Sequence, residues 1–316
     1  MRTSHSKIAI IGPGSVGSTF AFALMISGLA REIVLIGRDR KRAEGECMDL
    51  NHGASFVPPV NIYAAGYEGC KDADVIVITA GARQEPGESR LDLAQRNADV
   101  FKEIVPLIVN YGENAILVVV SNPMDVLTYL TIKLSGFPPQ KVIGSGTVLD
   151  STRFRFLISQ HCRVDPRNVH AYIIGEHGDT ELPVWSHANI GGMLFPQYCP
   201  RCERQCDYKR ELGAIFEEVK TSAYKIIEAK GATYYAIALA LVRIVGAILR
   251  DENSVLPVST LIHDYYGIDD VCLGIPTIVN RNGVERILML ELSPTEQEQL
   301  RHSAQVVKEV IRGIKL

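Results

Sequence analysis

A histidine and a distant acid are the residues of this chain best suited to proton transfer. His177 lies in a glycine-flanked turn that follows the apolar run Ile173-Ile174. Histidine has the intrinsic pKa to give and take a proton near neutrality, provided that a second group orients its ring, and Asp150 is the candidate for that second group. A single histidine is more often structural or on the surface, so the assignment depends on the residues around it.

A glycine-rich turn near the amino terminus is suited to binding a pyrophosphate. Gly12, Gly14 and Gly17 form a G-x-G-x-x-G motif between an apolar run and a helical pattern. The first glycine permits a tight turn, the second lets the backbone approach the pyrophosphate, and the third lets helix and strand pack closely. The alternative is a simple strand-to-helix turn. The position at the start of a βαβ unit favours dinucleotide binding, and Val16 is assigned to the same site.

The residues after the second predicted strand bear on the choice of coenzyme. An acid about 20 residues beyond the glycine motif ordinarily binds the adenosine ribose. This chain has Gly37 there, followed by Arg38, Asp39 and the basic residues 40–42. Arg38 and its neighbours are suited to the 2′-phosphate of NADP(H). Alternatively, Asp39 replaces the missing acid, or the basic run is a solvated helix start. We expect NAD(H), with NADP(H) left open.

Short runs rich in Ile and Val alternate with longer helical patterns in the first half of the chain. The predicted strands are 7–11, 32–36, 74–79, 115–120 and 142–145, and the predicted helices are 16–27, 41–51, 91–111 and 124–135. The later patterns predict a helix at 150–161, a strand at 171–175, a helical region at 209–249 broken at Gly231, and a helix at 294–315.

The alternation of short apolar runs with helical segments, and its change in the second half of the chain, predict an α/β fold with two domains. We expect a Rossmann-type doubly wound parallel sheet in a dinucleotide-binding domain, residues 1–146, and a mixed α/β catalytic domain, residues 147–316. The net charge of -3 gives no reason to expect nucleic acid as a partner. The apolar stretch 234–249 is shorter than the ~20 residues of a membrane span, and no export signal is visible, so we expect a cytoplasmic protein without a membrane partner.

The cysteines indicate neither a disulfide framework nor a clear metal site. Seven is an odd number, and they are unevenly spread. Cys199, Cys202 and Cys206 have a spacing that suits a metal, but a fourth ligand is not evident in the sequence nearby. We expect a reduced surface loop there and no bound metal.

Several segments resemble the L-lactate/malate dehydrogenase family, and the bacterial L-lactate dehydrogenases most of all. The resemblance extends over essentially the whole chain. The matching segments, in order, are 48–53, 79–90, 120–123, 144–153, 175–181 and 230–235.

The resemblance implies a task for each candidate residue. His177 would donate a proton to the oxo group of the substrate as hydride arrives from the nicotinamide, and Asp150 would fix the imidazole and favour its charged form. Arg153 would hold the substrate carboxylate with two parallel hydrogen bonds, for which a planar guanidinium is suited. Arg90 would polarise the carbonyl as negative charge develops on its oxygen.

The same resemblance assigns three further contacts. Asn122 would touch both coenzyme and substrate near the reaction centre. Thr233 would form part of the pocket wall, and Ile237, one turn on, would lie behind the nicotinamide. The polar segment 81–90 would close over the substrate and bring Arg90 into place.

Gln84 is the position that discriminates between substrates. Lactate dehydrogenases have glutamine there, whereas the malate enzymes of the family have an arginine that pairs with a second carboxylate. A neutral Gln84 leaves the extra carboxylate of oxaloacetate without a partner, which favours pyruvate and L-lactate as the substrate pair. The alternatives are a malate or broader 2-oxo-acid dehydrogenase and, from another class, a non-catalytic nucleotide-binding sensor.

Arg155 and His170 match the positions at which allosteric bacterial lactate dehydrogenases bind fructose 1,6-bisphosphate across a subunit interface. A twofold axis would bring two copies of each cation together against the phosphates. We expect activation by this sugar bisphosphate and, from the resemblance, a homotetramer. The alternative is an ordinary basic interface patch.

Overall fold

The computed structural model of the chain describes residues 6–82, 89–199 and 208–315, and only the backbone of Arg90, Tyr208 and Lys209. The strands are β1 (Lys7–Ile11), β2 (Glu32–Ile36), β3 (Asn61–Ala65), β4 (Val75–Ile78), β5 (Ile116–Val119), β6 (Val142–Gly144), β7 (Val169–His170), β8 (Ile173–Ile174), β9 (Leu182–Pro183), β10 (Asn189–Ile190), β11 (Met193–Leu194), β12 (Ser254–Ile262), β13 (Val271–Asn280) and β14 (Gly283–Ile287). The helices are α1 (Ser15–Ser27), α2 (Arg40–His52), α3 (Arg90–Tyr111), α4 (Met124–Ser135), α5 (Val148–Cys162), α6 (Phe195–Tyr198), α7 (Tyr208–Lys230), α8 (Tyr235–Leu249) and α9 (Pro294–Gly313).

The main sheet has its strands in the order β14-β13-β12-β6-β5-β4-β1-β2-β3. The six strands from β3 to β6 run parallel, and their order, 3-2-1-4-5-6, is that of a doubly wound dinucleotide-binding sheet. In such a sheet ligands bind beyond the carboxyl ends of the strands, where the strand order reverses between β1 and β4. The predicted fold class is confirmed, and the predicted strands and helices of the first half are found to within one residue at each end.

The parallel strands are mostly apolar because both faces of the sheet are covered, although β1 begins at Lys7, β2 at Glu32 and β3 at the exposed Asn61. The sequence patterns do not predict β3, whose apolar pattern is the weakest of the six. Along β1, Ile8 and Ile10 lie in one buried cluster with residues of α1 and α8. Ala9 and Ile11 lie in a second cluster with residues of α3 and α4. Successive side chains of a strand point to opposite faces, so a strand covered twice has no polar alternation.

The second half of the chain extends the same sheet, which the sequence patterns do not predict. Strand β12 joins β6 in antiparallel pairing at Ser259 and Gly144, and β13 and β14 follow it. Pro257 of β12 lies opposite Pro276 of β13. Proline has no backbone N–H to donate to a neighbouring strand and is therefore uncommon inside sheets. For this reason the sequence pattern does not predict β12 and β13.

The remaining elements of the second half surround the turn that contains His177. Strands β8 and β9 pair on either side of that turn, and β7, β10 and β11 form a small sheet beside them. The predicted break at Gly231 is confirmed, since α7 ends at Lys230 and α8 begins at Tyr235. Among the described residues, no helix is both long and apolar enough to cross a membrane.

Candidate active site

The structure brings His177 and Asp150 into direct contact. Asp150 lies in the first turn of α5 and is 1% exposed. His177 follows β8, and its Nδ1 lies 2.6 Å from Oδ2 of Asp150. This contact occupies Nδ1 and leaves Nε2 for proton exchange, which is the arrangement required of an oriented acid–base histidine.

Arg153 shares the same carboxylate. It lies three residues beyond Asp150, on the same face of α5, and its Nη1 donates to Oδ1 of Asp150 at 2.9 Å. The side chain is 14% exposed. A guanidinium has five N–H donors, so binding Asp150 leaves Arg153 with donors for a second carboxylate.

Side chains of α5 also hold β8 in place. The hydroxyl of Ser151 donates to the carbonyl of Ile173 at 3.2 Å and accepts from the backbone N–H of the same residue at 2.9 Å. Thr147 donates to that carbonyl at 2.6 Å. Because these bonds run between the helix of Asp150 and the strand that precedes His177, they fix the separation of the two catalytic candidates.

Asp125 is a buried acid that the sequence does not point to. Its Oδ2 accepts the backbone N–H of His177 at 2.7 Å, and its Oδ1 accepts the hydroxyl of Ser259 at 2.6 Å. It is 2% exposed, in the first turn of α4. Asp125 thus connects α4, β12 and the His177 turn. Its position just after the segment 120–123 is the only signal in the sequence that bears on it.

The turn is supported from a second side by α9. The hydroxyl of Ser303 accepts the backbone N–H of Glu176 at 2.8 Å. The hydroxyl of Thr180 donates to the Glu176 carboxylate and lies 3.1 Å from the hydroxyl of Ser303. The backbone around His177 is therefore held by side chains at both of its ends.

Glu181 adds a third carboxyl to the site. It is 7% exposed, and ligand-capable atoms of Glu181, Asp150 and His177 all lie within 4.8 Å of one another. It belongs to a segment singled out in the sequence, but no role was predicted for it.

The pKa values of these groups follow from their mutual positions. The negative charge of Asp150 raises the pKa of His177 to about 9, against the opposing effect of burial. Burial disfavours the ionised form of Asp150, but the positive charges of His177 and Arg153 outweigh it and lower the pKa of Asp150. Burial, together with the charge of Asp150, raises the pKa of Glu181 to about 8. At neutral pH the site therefore holds an imidazolium and an adjacent neutral carboxyl.

The glycine motif has the geometry of a dinucleotide-binding turn. Gly12 has a φ of +98°, and a Cβ there would lie 2.6 Å from the backbone nitrogen of Ala80. A Cβ at Gly17 would lie 2.8 Å from Oγ1 of Thr79. At Gly14 a Cβ would meet nothing within 4 Å, so the turn is open on the side where a pyrophosphate would approach. Gly14 caps α1 without a side chain, which leaves the helix N-terminus suited to an anion.

The other predicted coenzyme and pocket residues are placed around this turn. Val16 and Ile237 both pack against the same large buried cluster, and they lie on α1 and α8, two helices that contact each other. Thr233 is half-buried in the connection between α7 and α8. Arg38 is exposed directly after Gly37 at the end of β2.

Asn97 links Asn122 to the start of the predicted mobile segment. Its side-chain amide donates to the carbonyl of Asn122 at 2.7 Å, and its Oδ1 accepts the N–H of Ala82 at 2.6 Å. Asn97 is 1% exposed in α3. No local pattern in the sequence marks Asn97, because its two partners lie 25 and 15 residues away.

The structure does not describe the side chains of Gln84 and Arg90, two of the predicted substrate-site residues. Gln84 lies outside the described residues. Arg90 is the first residue of α3, whose N-terminus is closed by a capping box between Ser89 and Asp92. The roles of Gln84 and Arg90 remain predictions from the sequence.

The two predicted effector residues lie next to each other. His170 is exposed on β7, and Nε of Arg155 donates to the carbonyl of Ala171, the following residue, at 2.8 Å. Arg155 also lies over the ring of Tyr172, 5.2 Å from its centre. Arg155 is thus half-buried and bonded to the residue that follows His170, while His170 itself is exposed on β7.

The expectation of a surface loop is wrong for Cys199. This thiol is 1% exposed, and its Sγ lies 4.0 Å from Nε2 of His161. Cys199 packs in the buried cluster that also contains Phe154 and Phe195. Cys202 and Cys206 lie outside the described residues.

Two family models match the chain over nearly its full length. The NAD-binding domain of lactate/malate dehydrogenases matches residues 6–144, and the alpha/beta C-terminal domain of the same family matches residues 147–315. An L-lactate dehydrogenase of Acetivibrio thermocellus is 56% identical over 308 residues, which cover 98% of this chain and 97% of the relative. An L-lactate dehydrogenase of Thermoanaerobacterium saccharolyticum is 53% identical and covers 98% and 99% of the two chains. Among solved structures, the minor L-lactate dehydrogenase of Enterococcus mundtii has a TM-score of 0.95 at 42% identity, covering 98% and 99%.

Replacing Asp150 by asparagine should lower the pKa of His177. Because the charge of Asp150 is the main cause of the rise to about 9, we expect Asp150→Asn to return the pKa toward the ordinary value of ~6.5. An NMR titration of the imidazole measures this. Asp179→Asn is the matched control, since that exposed carboxylate in the same turn binds the hydroxyl of Tyr224. An unchanged His177 titration in Asp150→Asn would contradict the pairing.

Proposed function

This chain belongs to the lactate/malate dehydrogenase family, and we propose that it is an NAD-dependent L-lactate dehydrogenase of the cytoplasm, which interconverts pyruvate and L-lactate. The observation that carries the proposal is the buried Asp150–His177 contact of 2.6 Å, with Arg153 on the same carboxylate. The relatives that are 51–56% identical over nearly the whole chain are L-lactate dehydrogenases.

The residues of the site divide the chemistry of pyruvate reduction between them. NADH, when bound, supplies a hydride to C2 of pyruvate, and one proton must reach the carbonyl oxygen. His177 donates that proton from Nε2, and Asp150 stabilises the imidazolium before the transfer. The donors of Arg153 that do not bind Asp150 hold the substrate carboxylate. Arg90 stabilises the charge that develops on the oxygen, as the sequence predicts.

Glycines 12, 14 and 17 and the N-terminus of α1 are the groups that would hold the pyrophosphate of NAD(H). Their fit is seen in the open side of the turn at Gly14 and in the close packing at Gly12 and Gly17. Val16 and Ile237 provide apolar surface near the same turn, and Asn122, held by Asn97, lies at the end of β5 on the same edge of the sheet. This edge is where ligands bind in doubly wound sheets.

Steady-state kinetics with purified protein test the activity. We expect kcat/KM with NADH to be at least about tenfold higher for pyruvate than for oxaloacetate, because Gln84 offers no charge to a second carboxylate. Gln84→Arg should shift the preference toward oxaloacetate. Equal or better turnover of oxaloacetate by the unmodified chain would indicate a malate dehydrogenase. No turnover of either substrate would indicate a nucleotide-binding protein without this activity.

The effector prediction extends the proposal to regulation. The half-buried Arg155 is bonded to the residue that follows the exposed His170, and an anion with two phosphates would suit two copies of these cations related by a twofold axis. On this basis fructose 1,6-bisphosphate is the proposed activator.

Fructose 1,6-bisphosphate should lower the KM for pyruvate by about fivefold or more. His170→Gln should reduce this activation, because it removes an exposed side chain that is positive when protonated and leaves the backbone pairing of His170 with Asn189 in place. Arg167→Gln is the control, since that exposed arginine lies near β7 but pairs with Asp165 at 2.6 Å. Full activation of His170→Gln by fructose 1,6-bisphosphate would show that His170 does not take part in binding the activator.

The surface of the chain supports assembly into a homotetramer. Large apolar side chains are 51–65% exposed on three helices: Phe22 and Ile26 on α1, Met48 on α2, and Tyr235 and Leu239 on α8. Helices α1 and α8 pack against each other, so the exposed apolar side chains of these two helices lie on neighbouring elements. Exposed patches of this kind are typical of protein interfaces.

A charge within this surface should dissociate the assembly. We expect the unmodified chain to sediment as a tetramer and Leu239→Glu to sediment as a smaller species, because a buried unpaired carboxylate disfavours association. Met289→Glu is the control, since that side chain is 60% exposed but lies outside the three helices that carry this surface. A tetramer that survives Leu239→Glu unchanged would place the interface elsewhere.

A further inference from the structure

The end of β2 has neither the usual acid nor the space for one. Gly37 follows the last residue of β2, at the position where dinucleotide-binding domains carry the carboxylate that binds the adenosine ribose. A Cβ on Gly37 would lie 2.8 Å from Cδ and 3.0 Å from Cγ of Pro13. Pro13 is buried within the glycine motif, and its ring is fused to the backbone, so these atoms have little freedom to move. Pro13 therefore disfavours any side chain at position 37.

Asp39 does not replace the missing acid. It is the N-cap of α2, and its Oδ1 accepts the backbone N–H of Arg42 at 3.1 Å. A side chain held in this way stabilises the helix and is turned toward the first turn of α2. No other acid occurs between Gly37 and Glu44.

The same region is rich in exposed cations. Arg38, Arg40, Lys41 and Arg42 are all exposed. Arg40 pairs with Glu44 at 2.9 Å, and Arg42 lies 4.0 Å from Glu46. Within the part of the chain that the structure describes, Arg38 and Lys41 have no ion pair. They lie at the N-terminus of a 13-residue helix with no acid in its first turn, where the helix dipole adds to the positive potential.

We propose that Pro13 and Gly37 together open the ribose end of the coenzyme site to a 2′-phosphate, which Arg38 and Lys41 bind, so that this chain binds NADPH as well as NADH. A ribose carboxylate would disfavour the 2′-phosphate through like charge, and here that carboxylate is disfavoured by the Pro13 ring. The proposal rests on the proposed function only in requiring that the glycine motif binds a nicotinamide coenzyme.

Direct binding measurements test the proposal without turnover. Fluorescence titration of the purified enzyme with NADH and with NADPH should give Kd values within about tenfold of each other. Arg38→Gln should weaken NADPH binding by about tenfold or more, the effect of one lost charge-assisted hydrogen bond, and leave NADH binding unchanged. Arg31→Gln is the matched control, because this exposed arginine precedes β2, at the opposite edge of the sheet, and should affect neither coenzyme.

A pair of variants tests whether the Pro13 ring disfavours a side chain at position 37. Gly37→Asp alone should lower Tm by about 2–8 °C, because its Cβ overlaps the Pro13 ring. Adding Pro13→Ala removes both clashing atoms, so the double variant should regain Tm and weaken NADPH binding by about tenfold or more with NADH retained. Pro13→Ala alone controls for the loss of the proline.

Three results separate the possible failures. If NADH binds and NADPH binds more than about a hundredfold more weakly, the proposal is wrong and the lactate dehydrogenase function stands. If Gly37→Asp alone keeps the Tm and rejects NADPH, the role given to Pro13 is wrong. If neither coenzyme binds, the proposed function itself fails.

Discussion

The contact between Asp150 and His177 is the interaction on which the rest of the site depends. A buried carboxylate is costly unless it is paired and hydrogen-bonded. Asp150 meets this condition because His177 binds one of its oxygens and Arg153 the other. The same pairing that makes its burial tolerable also keeps His177 charged at neutral pH, so structural stability and the supply of a proton have one cause.

That contact needs two distant parts of the chain at a fixed separation, and the extended sheet provides it. Strand β12 lies beside β6, and Ser259 of β12 holds Asp125, which in turn holds the backbone of His177. The antiparallel strands of the second half therefore do more than cover the edge of a parallel sheet. They connect the nucleotide-binding strands rigidly to the turn that carries the acid–base group.

Much of the nucleotide-binding half of the fold could be predicted from the sequence, because the hydrophobic pattern of a strand reflects its burial on both faces of the sheet. Five of the six parallel strands are nearly continuous apolar runs, and the glycine motif and the His177 segment are contiguous in sequence. Strand β3 is not predicted, because Asn61 and Tyr63 interrupt its apolar pattern. The strands β12 and β13 could not be predicted in this way, since Pro257 and Pro276 interrupt their patterns, although the two prolines lie opposite each other. Asp125, Asn97 and Ser259 act on partners that are between 15 and 134 residues away. No local spacing marks such residues. The contact of Glu181 with the Asp150–His177 pair is likewise evident only in the folded chain.

The close approach of Pro13 to position 37 also restricts how such a chain changes over generations. A sequence with proline at 13 and glycine at 37 differs by two substitutions from one with a small residue at 13 and an acid at 37. Of the two orders in which these substitutions occur, acquiring the acid first passes through an intermediate whose side chain overlaps the proline ring. Losing the proline first meets no such obstacle. The contact thus disfavours the route in which the acid comes first and leaves the other route open. It makes the residue tolerated at one position depend on the residue at another, 24 residues away in the sequence.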